Sequence, residues 1–381
     1  MDGTKLEADA GKFTYVWAKN VERARSRVTE RVREILRQAD ALNEEEDREL
    51  GTADLPECGV DGAAPTAEEI RAAARRVAEK AEAAETNGEK GKQQELEKKS
   101  RELAKEADKQ EVVEERTRIL GGRNSFSKTD KGATFMRMKN KELRAGYNLQ
   151  IGTEQGFVLA YTVSQNANDA SAFVDHMDKR NAHLPAPVRV AADAAYGSEE
   201  NQSYLEGSGI ESHLKDQAWA ADRAGKHPPY DKRSFAYDQE RDSYTCPQGH
   251  EVVKTGEAIR RTARGFQTTV HHYETTACSS CPVHALCAKN GNKKLQRSPR
   301  LEELVAKARA NIDSEKGLEL RKRRGNEVES VFGDMKHNQR YTRVRLRGLA
   351  KAVVELGYVL LGQNLRKLHL LEGLAGQPQR A

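Results

Sequence analysis

Across residues 16–42, Val21, Val28, Val32, Ile35, Ala39 and Leu42 recur at helical spacing among Arg and Glu, which predicts one amphipathic helix. A stretch rich in Gly, Pro and Asp follows over 51–65, and then Thr66 and Glu69 stand at the spacing of a capping box. A second helix is expected to open there and to break at Asn87-Gly88, with a third, highly charged helix over about 92–120. Residues 16–120 therefore read as a helical, partly coiled-coil insertion, a solvated arm that joins two parts of the fold and carries no chemistry.

The period changes at Tyr147. Tyr147, Leu149 and Ile151 on one side and Phe157, Leu159 and Tyr161 on the other flank the turn pair Gln155-Gly156, as in a hairpin. A helix is expected over 169–180, a short buried strand over 188–192, a helix over 199–206 and a further strand over 210–214. Strands alternating with helices imply an α/β fold with a mixed sheet. Residues 216–300 depart from this rhythm, with turn residues and scattered aromatics, and read as an inserted subdomain. Helical patterning returns from 301 through Glu329. A last helix over 349–370 carries Val353, Leu356, Leu360 and Leu361 as core positions, and 373–381 reads as a disordered tail. The expected divisions are 1–15, the end of a strand; 16–120, the helical insertion; 121–215, the α/β core; 216–300, the Cys-rich insertion; and 301–372, the helices that complete the core.

Charged residues make up 32% and apolar residues 37% of the 381, a polar balance that suits long solvated helices beside a compact core. The formal net charge is only +5, yet residues 318–351 hold ten Lys or Arg against four acids. Such local bias suits an anionic partner such as DNA, or a solvated basic helix face. No early apolar run resembles a signal peptide and none is long enough to span a bilayer, so a cytoplasmic location is expected.

Five cysteines are present. Cys246 is followed by Gly249 and His250, and Cys278, Cys281 and Cys287 crowd together, two of them at C-x₂-C spacing. Four thiolates suit tetrahedral Zn²⁺, so a structural zinc on Cys246, Cys278, Cys281 and Cys287 is expected, with His250, His272 or His284 as a substitute ligand. Cys58 is left as an unpaired thiol.

Asp193 ends the buried strand Val188-Arg189-Val190-Ala191-Ala192, at the strand's carboxyl end where α/β sheets bind ligands. This segment, with Asp2-Gly3-Thr4-Lys5 and Asn326-Glu327-Val328-Glu329-Ser330-Val331-Phe332-Gly333-Asp334-Met335-Lys336, resembles the three acid-bearing motifs of DDE transposases from bacterial insertion sequences. Gly146-Tyr147-Asn148-Leu149-Gln150, Asn168-Asp169 and Arg345-Leu346-Arg347-Gly348 extend the resemblance over nearly the whole chain.

The resemblance implies a ribonuclease H-like mixed sheet with flanking helices, in which the strand of the first acid lies centrally. It assigns Asp2, Asp193 and Glu329 as catalytic metal ligands for two Mg²⁺ or Mn²⁺ ions, in a strand cleavage and transfer reaction at the ends of an insertion sequence. Three carboxylates suit this chemistry because hard divalent ions bind oxygen and two of them can activate a nucleophile and stabilise a leaving 3′ oxygen. DNA contacts are expected from Arg323, Arg324, Lys336, Arg340, Arg343 and Arg347, and assembly with further copies of the chain is implied. Where relatives place Tyr and Arg ahead of the third acid, this sequence has Lys322 and Gly325. Glu154 is set aside in favour of Asp2, and Asp169 is read as a helix cap. Because the first motif begins at Asp2, the rest of its strand and a helical end-recognition region are expected upstream. A non-catalytic DNA-binding or oligomerising remnant, and a nuclease of the same fold, stand as the alternative readings.

Overall fold

The computed structural model describes residues 1–50, 64–288 and 290–375, with side chains described for 1–42, 64–288 and 290–372. Cys58 and residues 376–381 fall outside them. The chain divides into two compact units, one of residues 1–6, 147–344 and 350–381, the other of 7–146 and 345–349. Strand β1 (Asp2–Glu7) opens the first with all but its last residue.

The second unit begins with β2 (Tyr15–Trp17), which leads directly into α1 (Ala18–Leu50). Helices α2 (Ala67–Thr86) and α3 (Lys90–Leu120) follow. The capping box forms as expected: Glu69 N–H donates to Thr66 Oγ1 at 3.2 Å, and Thr66 N–H donates to Glu69 Oε2 at 2.7 Å. These three helices pack through Val32 and Ile35, Ile70 and Val77, and Leu96 and Leu103, all buried. Each such side chain contributes roughly 1.5–3 kcal/mol by leaving water, which is what three highly charged helices need to hold together. β3 (Ser125–Ser127) pairs antiparallel with β2, and β4 (Thr134–Arg137) pairs with the opening residues of β5 (Leu143–Glu154). Arg347 returns to this unit, donating from Nε to Asp9 Oδ2 at 2.9 Å.

Within the first unit, β5 continues and forms the expected hairpin with β6 (Phe157–Ser164), and Gln155 and Gly156 at its tip both take positive φ. β1 pairs with β5. The amine of Met1 donates to Ala191 O of β7 (Arg189–Ala192) at 2.9 Å, although β1 and β7 belong to separate sheets and β1 stands at the end of its own, not in a central place. Between them in sequence runs α4 (Phe173–Asn181), preceded by a single 3₁₀ turn. After β7 come α5 (Glu199–Gly207) and β8 (Glu211–Leu214), and β8 pairs parallel with β7 so that Ala192 stands opposite Leu214. Phe173, Tyr196, Leu205 and Leu214 bury against one another under this sheet.

α6 (Trp219–Arg223) leads into the inserted region, which is more ordered than its composition suggests. β9 (Ala236–Asp238), β10 (Ser243–Thr245), β11 (Glu251–Arg261), β12 (Gln267–Glu274) and, after the short α7 (His284–Cys287), β13 (Lys294–Arg297) form one antiparallel sheet. Phe235, Tyr244, Val252, Tyr273 and Leu295 make its core. Tyr237 and Tyr273 both donate their hydroxyls to Asp242, which holds that carboxyl well below the usual range.

The helical run after 300 is two helices, α8 (Pro299–Asp313) and α9 (Glu315–Gly333), because Ser314 ends one and caps the next, its hydroxyl accepting from Gly317 N–H at 3.1 Å. A Cβ at Gly317 would lie 2.1 Å from Asn311 O, so only glycine allows this close elbow. A π-helical turn over Asp334–Asn338 follows. The last helix, α10 (Leu349–Ala375), departs from the expectation of pure core packing: Ala352, Leu356 and Leu360 are buried, whereas Val354, Tyr358, Leu361 and Leu365 are exposed. Among the described residues no helix is long and apolar enough to cross a membrane.

Candidate active site

The first unit brings two of the three predicted acids to one guanidinium. Asp2 sits at the start of β1, where its Oδ1 accepts from Gly3 N–H at 2.8 Å. Asp193 follows the last residue of β7 and is half exposed, its side chain 50% accessible. Arg324, on α9, donates from Nη1 to Asp2 Oδ2 at 3.2 Å and places Nη2 3.9 Å from Asp193 Oδ1. Its side chain is only 12% accessible, so the pair with Asp2 is largely shielded from water. Burial pushes the Asp2 carboxyl above its ordinary range, against the pull of Gly3 N–H and Arg324, and the negative charge of Asp193 adds to the rise.

Glu329 lies on α9 too, but exposed. At about 100° per residue it points roughly 140° around the helix from Arg324, whereas Glu327, three residues after Arg324, shares its side. Val328 and Val331 are the buried positions of this turn. Glu327 accepts from Arg323 at 3.1 Å. Glu154 ends β5 and is exposed.

Asp169 does something other than the predicted capping. Its side chain caps no helix; Oδ1 accepts from Asn148 Nδ2 at 2.7 Å and from Gln150 Nε2 at 2.9 Å. Gln150 in turn accepts from the buried Tyr196 hydroxyl, whose acidity is suppressed first by burial and then by Asp169, Asp2 and Asp193. The reason is geometric: the hairpin strand β5 offers two inward amides, and an acid beside them satisfies their donors better than it would a helix end.

The predicted DNA-contacting cations divide. Lys336, in the π-helical turn, donates to Thr4 Oγ1 at 2.5 Å and to Lys5 O at 3.0 Å, so it grips β1. Arg323 is engaged with Glu327 and Arg324 with Asp2, while Arg340 and Arg343 are exposed. Arg347 belongs to the other unit and is held by Asp9.

Two cations near Asp193 were not singled out in the sequence. Lys215 follows β8 as Asp193 follows β7, and the parallel register sets them side by side at the carboxyl edge of the pair. The rule that such edges bind ligands, applied to β8 as well as β7, would have found it. Arg321 precedes Arg324 by one helical turn and lines the same crevice as Lys215 and Arg324.

Cys246, Cys278, Cys281 and Cys287 line a single cavity in the inserted sheet region. Cys246 Sγ accepts from His250 N–H and Cys278 Sγ from Lys293 N–H, each at 3.3 Å. Burial pushes the Cys287 thiol up, and the other three cysteines raise it further against Lys293. All four are free of disulfides. Among the described residues no group of three or more His, Cys, Asp or Glu is arranged, as it stands, to hold a metal ion.

Residues 245–369 match a family model described as a transposase DDE domain. The matched span holds Glu329, Lys336 and these four cysteines, and begins after Asp2 and Asp193, which it does not include. No curated protein and no solved structure matches the chain. A DDE transposase domain is the class to which this part of the chain is similar, and that class carries out DNA phosphoryl transfer.

Proposed function

We propose that this protein is the catalytic part of a DDE transposase of ribonuclease H-like fold, which cleaves and joins DNA strands at insertion-sequence ends in a metal-dependent reaction. The observation that carries the reading is the convergence of Asp2 and Asp193, 191 positions apart in the sequence, on the guanidinium of Arg324. The transposase DDE match over 245–369 supports it from the other end of the chain.

The donor set suits a hard divalent cation: two carboxylates, one desolvated, both facing the same cationic group. Asp2 and Asp193 would hold Mg²⁺ or Mn²⁺, and the resemblance assigns Glu329 as the third ligand of a two-ion site. Such ions, when bound, activate the attacking oxygen and stabilise the leaving one. Arg324 balances the carboxylates' charge, Gly3 N–H fixes the Asp2 rotamer, and Lys336 holds β1 in register beneath them. Arg323, Arg340, Arg343 and Arg347 would bind DNA phosphates, and the reaction at two transposon ends favours an assembly of several copies.

Cys246, Cys278, Cys281 and Cys287 fit a structural Zn²⁺. They share one cavity, and two of their sulfurs already accept backbone N–H bonds, a pattern that stabilises thiolates. Because the inserted sheet has its own aromatic core, the metal would tie down the α7 end of that sheet.

The test incubates purified protein with Mg²⁺ or Mn²⁺ and DNA carrying insertion-sequence ends, and follows nicking and strand joining on gels. Metal-dependent joining that Asp193→Ala abolishes supports the transposase. Cleavage without joining favours a nuclease of this fold, and salt-sensitive DNA binding with no cleavage favours a non-catalytic remnant.

A further inference from the structure

The crevice beside Asp193 carries more positive charge than its surroundings use. Its walls include Lys215, Arg321 and Arg324, with Ala191 and Ala192 of β7 and Gly317 at the α8–α9 elbow. Two glycines make the crevice possible. A Cβ at Gly197 would fall 2.3 Å from Lys215 O, so the loop after Asp193 can lie against Lys215 only without a side chain there. Gly317 does the same for the elbow that presents Arg321.

Arg324 is engaged by Asp2, but Arg321 Nη1 is buried with no hydrogen-bond partner among the described residues. Lys215 and Arg321 both lie over the ring of Trp219, with Nζ 5.0 Å and Cζ 5.2 Å from its centroid, and Arg223 is a third cation at 5.1 Å. Arg223 has its own carboxylate in Asp313. The stacking holds Lys215 and Arg321 in place without neutralising them.

We infer that Lys215 and Arg321 form a phosphate subsite for the DNA strand that enters at Asp193, with Trp219 as the platform that presets both cations. A guanidinium N–H without a partner among the described residues, beside an ammonium in a crevice that Arg324 also lines, matches a phosphodiester oxygen in charge and donor count. The inference rests on the transposase reading, since it takes the strand's reacting phosphate to lie at Asp193, and it adds the neighbouring phosphate that fixes the strand's register.

The test measures binding of insertion-sequence end DNA by the full chain over a series of salt concentrations in Ca²⁺, which suppresses cleavage. Lys215→Gln and Arg321→Gln are each expected to weaken binding roughly five- to tenfold near 0.1 M salt and to lower the slope of log K against log salt by about one. Arg321→Lys should recover most of the slope, since the charge remains, which a folding defect would not do. In a Trp17→Phe background Trp219 is the sole tryptophan, so its fluorescence should shift when DNA binds and should not shift in Arg321→Gln. If the protein binds DNA with unchanged slope in both glutamine variants, the subsite is wrong while the transposase reading stands. If wild-type protein shows no salt-dependent DNA binding at all, the transposase reading itself fails.

Discussion

Arg324 Nη1 lies 3.2 Å from Asp2 Oδ2, a contact between residues at opposite ends of the chain, and the same guanidinium reaches to 3.9 Å from Asp193 Oδ1. A cation held between two carboxylates is an organising charge for the metal-free site and a competitor for any metal ion that binds there. Arg324→Met should tighten Mn²⁺ binding, read by electron paramagnetic resonance, at least severalfold, because the repulsion between the guanidinium and the ion is removed. Unchanged or weaker Mn²⁺ binding would mean that the arginine does not face the ion.

Asp193→Asn keeps the side chain's shape and removes its charge. Metal-dependent strand cleavage is expected to fall by about a thousandfold or more, in line with the several kcal/mol that metal-ion charge stabilisation supplies. Thermal unfolding of the metal-free protein should hardly change, because Asp193 is half exposed and its arginine contact is long.

Lys336 is predicted to act on the fold before it acts on DNA. Its bonds to Thr4 and Lys5 O hold β1, so Lys336→Met should cost roughly 1–3 kcal/mol in urea denaturation, the range for losing charge-assisted hydrogen bonds and leaving an acceptor unmet. A variant as stable as wild type but weaker in DNA binding would return the lysine to the phosphate role the sequence suggests.

His176 is buried on α4 with Nδ1 3.2 Å from Thr162 Oγ1 and Nε2 without a hydrogen-bond partner among the described residues, and burial pushes its pKa down to about 3 from an ordinary 6.5. The folded state therefore refuses a proton that the unfolded chain accepts. The stability this contributes is complete above about pH 6.5 and is lost as pH falls from there toward 3, by up to a few kcal/mol. His176→Gln should flatten the acid limb of the stability curve between pH 6 and 3, measured by chemical denaturation at each pH. An acid limb as steep as that of wild type would show that other groups set it.

If the four cysteines hold zinc, protein purified without chelator should carry close to one Zn²⁺ per chain by elemental analysis, and Cys281→Ser should lower that content. Replacement by Co²⁺ should give thiolate charge-transfer absorption. Wild-type protein free of metal and showing no Co²⁺ spectrum would leave the cysteines as packed thiols.

Much of the architecture was legible from local pattern. The capping box at Thr66 and Glu69, the break at Asn87-Gly88, the hairpin about Gln155-Gly156 and the strand ending at Ala192 all form where short-range spacing places them. These are decided within a few residues, by capping hydrogen bonds, turn dihedrals and the side-chain period of the strand. The inserted region is legible in the sequence as a separate subdomain, but its five strands are not, because their register comes from partners up to tens of residues away, around an aromatic core that no periodicity announces.

The sequence by itself determined the types of residue available for chemistry: a carboxylate after a buried strand, another at the first strand, a cation-rich helix and a knot of cysteines. Only the tertiary structure decided which of them meet. It set Asp2 and Asp193 on Arg324, turned Lys336 inward to β1, took Asp169 from a cap to the amides of Asn148 and Gln150, and put Lys215 beside Asp193. Those meetings depend on strand order and helix phase across scores to hundreds of residues, and electrostatic partnership is fixed by distance in space, which the order of residues along a chain does not contain.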